Sequence, residues 1–251
     1  MLLEMNFLSD ELSKMTNVSM VIPENAPKPY KTMWLFHGLS GDNKEWIRYT
    51  SIERFANEYQ IAVIMPNVDR SWYVNTAYGA NYFNYVTKEL PRVCRNFFPY
   101  LNERREDNII AGNSMGGYGA LKAALCCPDA YGSCISLSGA LDVIVNGITT
   151  SDFNEWKGIF GFELKNLEEL VGSEHDVFFL ATRHKREGKE FPKLYMWCGV
   201  DDIFIEANRN FDRHLSELGV RHFAEFSEGD HSWKWWDIHI QKALKNILCF
   251  S

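Results

Sequence analysis

Asn108-Ile109-Ile110-Ala111-Gly112-Asn113-Ser114-Met115-Gly116-Gly117 is the stretch on which the fold turns. Its first four residues make a short run of the kind formed by a buried strand. From Met115 to Cys127 the chain carries a single charge, Lys122, among small and apolar residues, which describes a helix buried on most sides. Gly112 and Gly116 let the chain turn sharply and let strand and helix approach closely around a strained Ser114. A bare Gly-x-Ser-x-Gly is a weak signal. Seated between a strand and a helix, it describes a nucleophile elbow.

Outward from this turn the same grammar repeats. Thr32–Phe36, Ile61–Met65, Cys134–Leu137 and Leu194–Cys198 are further short apolar runs. They lack polar alternation because strands of a parallel sheet are covered on both faces. Residues 5–22 read as two more strands, and Arg221–Phe226 is strand-like. Helical spacing appears over 45–58 and 82–97, and Trp236, Ile240, Ala243 and Ile247 mark one face of a last helix. Alternating strand and helix predicts an α/β fold, a mostly parallel central sheet flanked by helices with right-handed crossovers. Residues 141–192 are charged and poor in strand signal. The expectation is one domain over 1–251, with 141–192 as an inserted, cap-like segment able to cover a cleft.

Composition narrows the function classes. With 251 residues, 46% hydrophobic, 24% charged and 14% aromatic, the chain can bury a sizeable core and is not a disordered one. A net charge of −7 lacks the basic footprint of a nucleic-acid binder. Arg183-His184-Lys185-Arg186, soon followed by Glu187 and Glu190, reads as a solvated helix or loop. The six cysteines show neither zinc spacing nor a small-protein disulfide framework, so buried free thiols in a reducing compartment are expected, with no metal and no cofactor. Met1-Leu2-Leu3-Glu4-Met5 lacks a leader pattern and no apolar run reaches 18 residues, so a cytoplasmic location and no membrane partner are expected. A homo-oligomer is compatible with these features.

A serine hydroxyl needs a base, and the base needs an orienting group. Of seven histidines, His231 in Gly229-Asp230-His231-Ser232-Trp233 follows a strand-like run and precedes the last helix, on a loop at a strand end. His175, His184, His214 and His239 lie in charged or helical stretches and read as solvated. His37 reads as shaping the loop His37-Gly38-Leu39-Ser40-Gly41. Asp201 and Asp202 both follow the Leu194–Cys198 run, with Asp142 a weaker third candidate, and spacing alone does not separate the first two. The chain order serine, aspartate, histidine is that of an α/β-hydrolase. Backbone N–H groups of Leu39 and Met115 are candidates for an oxyanion hole. Trp72, Tyr73 and Trp233 fall in loops at the expected carboxyl end of the sheet, where they are candidates to wall a substrate pocket.

The motifs His37-Gly38-Leu39, Gly112-Asn113-Ser114-Met115-Gly116-Gly117, Cys198-Gly199-x-x-Asp202 and Gly229-Asp230-His231 resemble those of the esterase-D-like esterase group, an α/β-hydrolase family. That group includes S-formylglutathione hydrolases, tributyrin esterases, feruloyl and acetylxylan esterases, and mycolyltransferases. Pro66-Asn67, Ser71-Trp72-Tyr73 and Glu89-Leu90-Pro91 look most similar to tributyrin-esterase-type acyl esterases. The resemblance runs from about residue 5 to 247 and is weakest over 141–192. It implies Ser114 as nucleophile, Asp202 as triad acid, His231 as base, and Leu39 and Met115 as oxyanion donors. It implies a serine carboxylesterase acting on short-chain acyl esters of small molecules, or alternatively a carbohydrate esterase acting on an oligosaccharide ester. Leu39-Ser40-Gly41-Asp42 lacks the cysteine-containing stretch usual in S-formylglutathione hydrolases, which weighs against that member. A non-catalytic module on a hydrolase scaffold is disfavoured by retention of all three triad residue types.

Overall fold

The apolar runs of the chain pair into one eight-stranded sheet in a computed structural model that describes residues 1–142, 153–161, 163, 165 and 167–249. The strands are β1 (Leu2–Ser9), β2 (Lys14–Val21), β3 (Lys31–Phe36), β4 (Ile61–Pro66), β5 (Asn108–Asn113), β6 (Ser133–Leu137), β7 (Lys193–Gly199) and β8 (His222–Ser227), in spatial order β1-β2-β4-β3-β5-β6-β7-β8. β1 and β2 form an antiparallel hairpin, and β2 meets β4 antiparallel; the pairings from β4 through β8 are parallel. Parallel strands carry their carboxyl ends to one edge. Phe36 therefore pairs with Gly112, Asn113 with Leu137, and Gly199 with Ser227, and the loops that follow gather along that edge.

Both faces of the sheet are covered. Trp34 and Phe36 of β3 and Ala62 and Ile64 of β4 face one apolar layer, with Tyr118 and Leu121 of α5 (Met115–Cys126), Leu180 of α7 (Val177–Arg186) and Phe211 of α8 (Ile205–Glu217). Met33, Leu35, Val63 and Met65 face the other, with Trp46 of α1 (Glu45–Tyr49), Phe55 of α2 (Ile52–Glu58) and Trp236, Ile240 and Ala243 of α9 (Trp233–Cys249). Alternate residues of each strand thus serve opposite layers, and burial on both sides explains the uninterrupted apolar runs.

The structure corrects several expectations. The helix expected over 45–58 is broken into α1 and α2. Thr50 Oγ1 donates to the Trp46 carbonyl and accepts from Ile52 N–H, while Ser51 N–H donates to Asp237 Oδ1 at 2.7 Å. Side chains that offer the backbone such partners compete with the helix ladder. The segment 82–97 consists of α3 (Tyr82–Asn84), a π-helical turn (Tyr85–Glu89) and α4 (Leu90–Phe97). Pro91, near the start of α4, has no N–H for the carbonyl one turn before it, a local reason for the change of winding.

The segment 141–192, expected to be an inserted cap, is described only in part. Its later part, α7, is a crossover helix packed on α5, with Val177, Leu180 and Ala181 fully buried. Residues 143–152, 162, 164 and 166 of the expected cap lie outside the described residues. His184 and His239, expected in solvent, are buried, His184 against the Leu125 carbonyl of α5 and Phe191, His239 against Trp197 of β7. His239 stacks on Trp197, with 3.9 Å between ring centres, and burial pushes its pKa down to about 4. Cys94, Cys134 and Cys198 are buried free thiols and Cys126 and Cys127 partly so, but Cys249 is exposed at the end of α9. No described helix is long and apolar enough to cross a membrane.

Candidate active site

Ser114 stands one residue beyond β5, at the hinge into α5. Its φ of 54° and ψ of −119° are costly for a residue with a Cβ. The turn is held from both sides, because Ser114 N–H donates to the Leu137 carbonyl at 3.0 Å and its own carbonyl accepts from Tyr118 and Ala140. A Cβ on Gly112 would fall 2.4 Å from the Gly116 carbonyl, and one on Gly116 would fall 2.5 Å from the Phe36 carbonyl. The two glycines therefore allow β5, α5 and β3 to close on one another while the serine side chain projects from the crest.

His231 lies on the loop between β8 and α9. Its Nε2 is 3.0 Å from Ser114 Oγ, and its Nδ1 is 2.9 and 3.0 Å from the two carboxylate oxygens of Asp202. The Asp202 side chain is fully buried, and its Oδ1 also accepts from Phe204 N–H at 2.8 Å. Asp201 is exposed, its N–H donating to the Gly229 carbonyl. Of the two aspartates, Asp202 is the one the loop turns inward, against His231. The His231 ring sits between Phe204 and the edge of Trp236, at centroid distances of 5.2 and 4.9 Å.

The loop after β3 closes the other side. Gly38 lies so near the elbow that a Cβ there would come 3.5 Å from Ser114 Cβ. His37 is buried; its Nε2 accepts from Val68 N–H, which leaves Nδ1 to donate to the Gly38 carbonyl at 2.8 Å. Burial holds its imidazole below the ordinary range, so it acts as a loop brace. Met115 is the first residue of α5, where a backbone N–H has no partner within the helix. Leu39 and Ser114 line the same cavity.

That cavity, of about 270 Å³, has Trp72, Phe204, Trp233 and Trp236 among its apolar walls. Of the three aromatic residues expected to wall a pocket, Trp72 and Trp233 do so. Tyr73 does not: it is fully buried, stacked on Phe36, and its hydroxyl donates to the His37 carbonyl at 2.9 Å. The reading of Tyr73 as a substrate wall is corrected, because Trp72 and Tyr73 both have positive φ and this turn drives Tyr73 under the loop. Trp72 packs against Trp156 of α6 (Phe153–Phe160), so this helix backs the cavity wall. Among the described residues no three His, Cys, Asp or Glu side chains gather as a metal site.

One lining residue escaped the sequence reading. Glu45, the first residue of α1, faces both this cavity and a groove of about 490 Å³ beyond it. An acidic residue in the first turn of a helix ordinarily reads as a complement to the helix dipole, so nothing in the local sequence marks it.

Over residues 9–247 the chain matches the family model described as Putative esterase. It is 31% identical to an acetyl esterase of Caldicellulosiruptor saccharolyticus, across 97% of each chain. It is similar to fluorophosphonate-binding serine hydrolase F of Staphylococcus aureus, with 36% identity over 99% of this chain and 98% of that one and a TM-score of 0.91. It is also similar to the S-formylglutathione hydrolase FrmB of Staphylococcus aureus, with 36% identity, the same coverage and a TM-score of 0.88. The sheet order and these neighbours make this an α/β-hydrolase fold.

Proposed function

We propose that this chain, which belongs to the putative esterase family and is a carboxylic-ester hydrolase, cleaves short-chain acyl esters through an acyl-enzyme on Ser114. In this reading His231 Nε2 takes the Ser114 proton as Oγ attacks the ester carbonyl, and Asp202 orients the ring and stabilises its cation. The N–H groups of Leu39 and Met115 receive the developing alkoxide, a donor of this sort contributing about 3 kcal/mol to the transition state. The positive end of α5 adds to the same position. His231 then gives its proton to the departing alcohol oxygen as the ester C–O bond breaks. A water molecule, deprotonated by the same imidazole, attacks the acyl carbonyl, and Ser114 leaves as its proton returns.

The observation that supports this most directly is the unbroken contact from Ser114 Oγ through His231 to Asp202, built on a strained turn. A small cavity backed by buried Trp72 suits a short acyl group. In the same reading the enzyme works in the cytoplasm, where its free cysteines stay reduced. The test is a panel of p-nitrophenyl esters with labelling by a fluorophosphonate probe. Stoichiometric labelling, lost in Ser114→Ala, together with acetate or butyrate turnover above that of long-chain emulsions, is the expected result. Turnover that survives Ser114→Ala, or a preference for long chains, would refute it.

A second reading, deacylation of carbohydrate, has one specific observation in its favour. Trp233, on the cavity wall, is stacked on exposed Tyr49 with 5.2 Å between ring centres, an aromatic surface of the kind that packs against a sugar ring. Turnover of acetylated xylo-oligosaccharide well above that of p-nitrophenyl acetate would select it.

A further inference from the structure

Glu45 is half-buried, and its carboxyl has no hydrogen-bond or ion-pair partner among the described residues. A half-buried carboxyl with no protein donor keeps its acceptor oxygens open to whatever enters the spaces beside it. Its place is specific. The carboxyl lies against the loop after β3, where a Cβ on Gly41 would fall 2.1 Å from Glu45 Oε2, so the glycine leaves room for it. On one side is the cavity of Ser114 and His231; on the other is the open groove lined by Leu2, Ser40 and Tyr49.

Direction follows from the chemistry of the proposed cycle, on which this inference rests. The alcohol oxygen must receive its proton from His231 Nε2, so the alcohol part of the ester leaves on the side of His231 and Trp233. Trp233 packs on Trp46 and Tyr49 of α1, the helix that Glu45 opens. The buried Trp72 wall is left for the acyl part. An alcohol longer than one or two carbons therefore passes Glu45 on its way to the groove.

We propose that Glu45 is a specificity-determining residue that reads the leaving alcohol, accepting a hydrogen bond from a hydroxyl carried just beyond the ester oxygen and rejecting alcohols that carry a carboxylate. Burial, reinforced by Asp42, raises the Glu45 pKa to about 7, which suits an uncharged hydroxyl partner better than a fixed cation. The other ionisable groups around the two spaces are Asp42, Lys44, Arg48 and Tyr49 beside it, Glu4 from β1, and His231 across the cavity.

Three acetate esters of nearly equal size test this at pH 8.5: n-propyl acetate, 2-hydroxyethyl acetate and acetoxyacetate. For the wild type, kcat/KM for the hydroxyethyl ester should exceed that for the propyl ester by about tenfold, as a hydrogen bond to a charged group can supply. The anionic ester should fall below the propyl ester by about tenfold or more, because like charges are brought together. In Glu45→Ala both ratios should collapse to within about twofold. Glu45→Gln keeps an acceptor without charge; it should retain a hydroxyl preference and lose the rejection of the anion, a split that a purely structural role would not produce. Circular dichroism establishes that both variants fold. Flat ratios in the wild type, or ratios that persist in Glu45→Ala, overturn the role of Glu45 while leaving the esterase reading intact. Failure of the wild type to turn over even p-nitrophenyl acetate would remove both.

Discussion

Arg70 grips Glu155 at two points, Nε to Oε1 at 2.5 Å and Nη2 to Oε2 at 2.9 Å, while Nη1 donates to Ser40 Oγ. One side chain on the loop after β4 thereby ties helix α6 to the loop after β3, joining the wall behind Trp72 to the loop that carries Leu39. Both partners are partly exposed, so the energy is modest, about 1 kcal/mol for a well-formed pair of this kind. Arg70→Ala should lower Tm by about 2–4 °C, the shift such a loss produces in a chain of this size. It should also raise KM for short esters more than it lowers kcat. Thermal melts and steady-state kinetics check both, and Arg70→Lys, which cannot fork, should recover only part of the loss.

Asp202 and Asp201 are neighbours in sequence with opposite surroundings. Asp202→Asn should lower kcat on p-nitrophenyl acetate by about four orders of magnitude, since the amide no longer accepts from Nδ1–H and favours the wrong tautomer. Asp201→Asn should keep kcat within about tenfold, because its carboxylate is exposed and its backbone N–H is the group that bonds Gly229. Equal losses in the two variants would assign the wrong carboxylate.

Gly199 ends β7 against the loop that bears His231. A Cβ there would fall 2.1 Å from the Gly229 carbonyl oxygen, a backbone atom that cannot swing aside. Gly199→Ala should therefore spread the loops of Asp202 and His231. A displacement of about 1 Å is enough to cost around a hundredfold in turnover. Near-native circular dichroism with such a loss is the expected pair of results, read alongside fluorophosphonate labelling of Ser114.

His239 and His175 are held neutral by burial, with pKa values of about 4 and about 3, and Lys122 beside His175 pushes the same way. An unfolded histidine titrates near 6.5. Between that pH and the folded values, the unfolded chain binds more protons than the folded one, so stability falls as pH drops through this window. It stops falling on their account once pH is below both folded values. Each histidine adds at most about 1.4 kcal/mol per pH unit to that slope. Denaturant titrations from pH 7 to pH 4 should show the decline, and His239→Phe should make it shallower.

The alternation of apolar runs with amphipathic segments announced the parallel core, because residues such as Met33 and Trp34 serve opposite layers and both must be apolar. The elbow was equally plain, since only glycines at 112 and 116 permit the close approach of three backbones. Less was visible where a polar side chain chooses among several partners. Thr50 bonding back to Trp46 split one expected helix into two, and Asp237, 186 residues beyond the Ser51 it bonds, held the gap open. His184 and His239 carry charged neighbours in sequence yet are buried, since their burial depends on the phase of a helix against its neighbours.

Local sequence determined what backbone sterics and periodicity can express: the strands, the strained Ser114, and a histidine loop following the last strand. Folding at long range decided which aspartate turns inward, that Tyr73 lies under the loop while Trp72 lines the cavity, and that Glu45 stands between cavity and groove with no partner among the described residues. The physical reason is common to all three. A side chain's hydration and its neighbours are set by segments that meet only when the sheet closes, and no spacing along the chain encodes that meeting by itself.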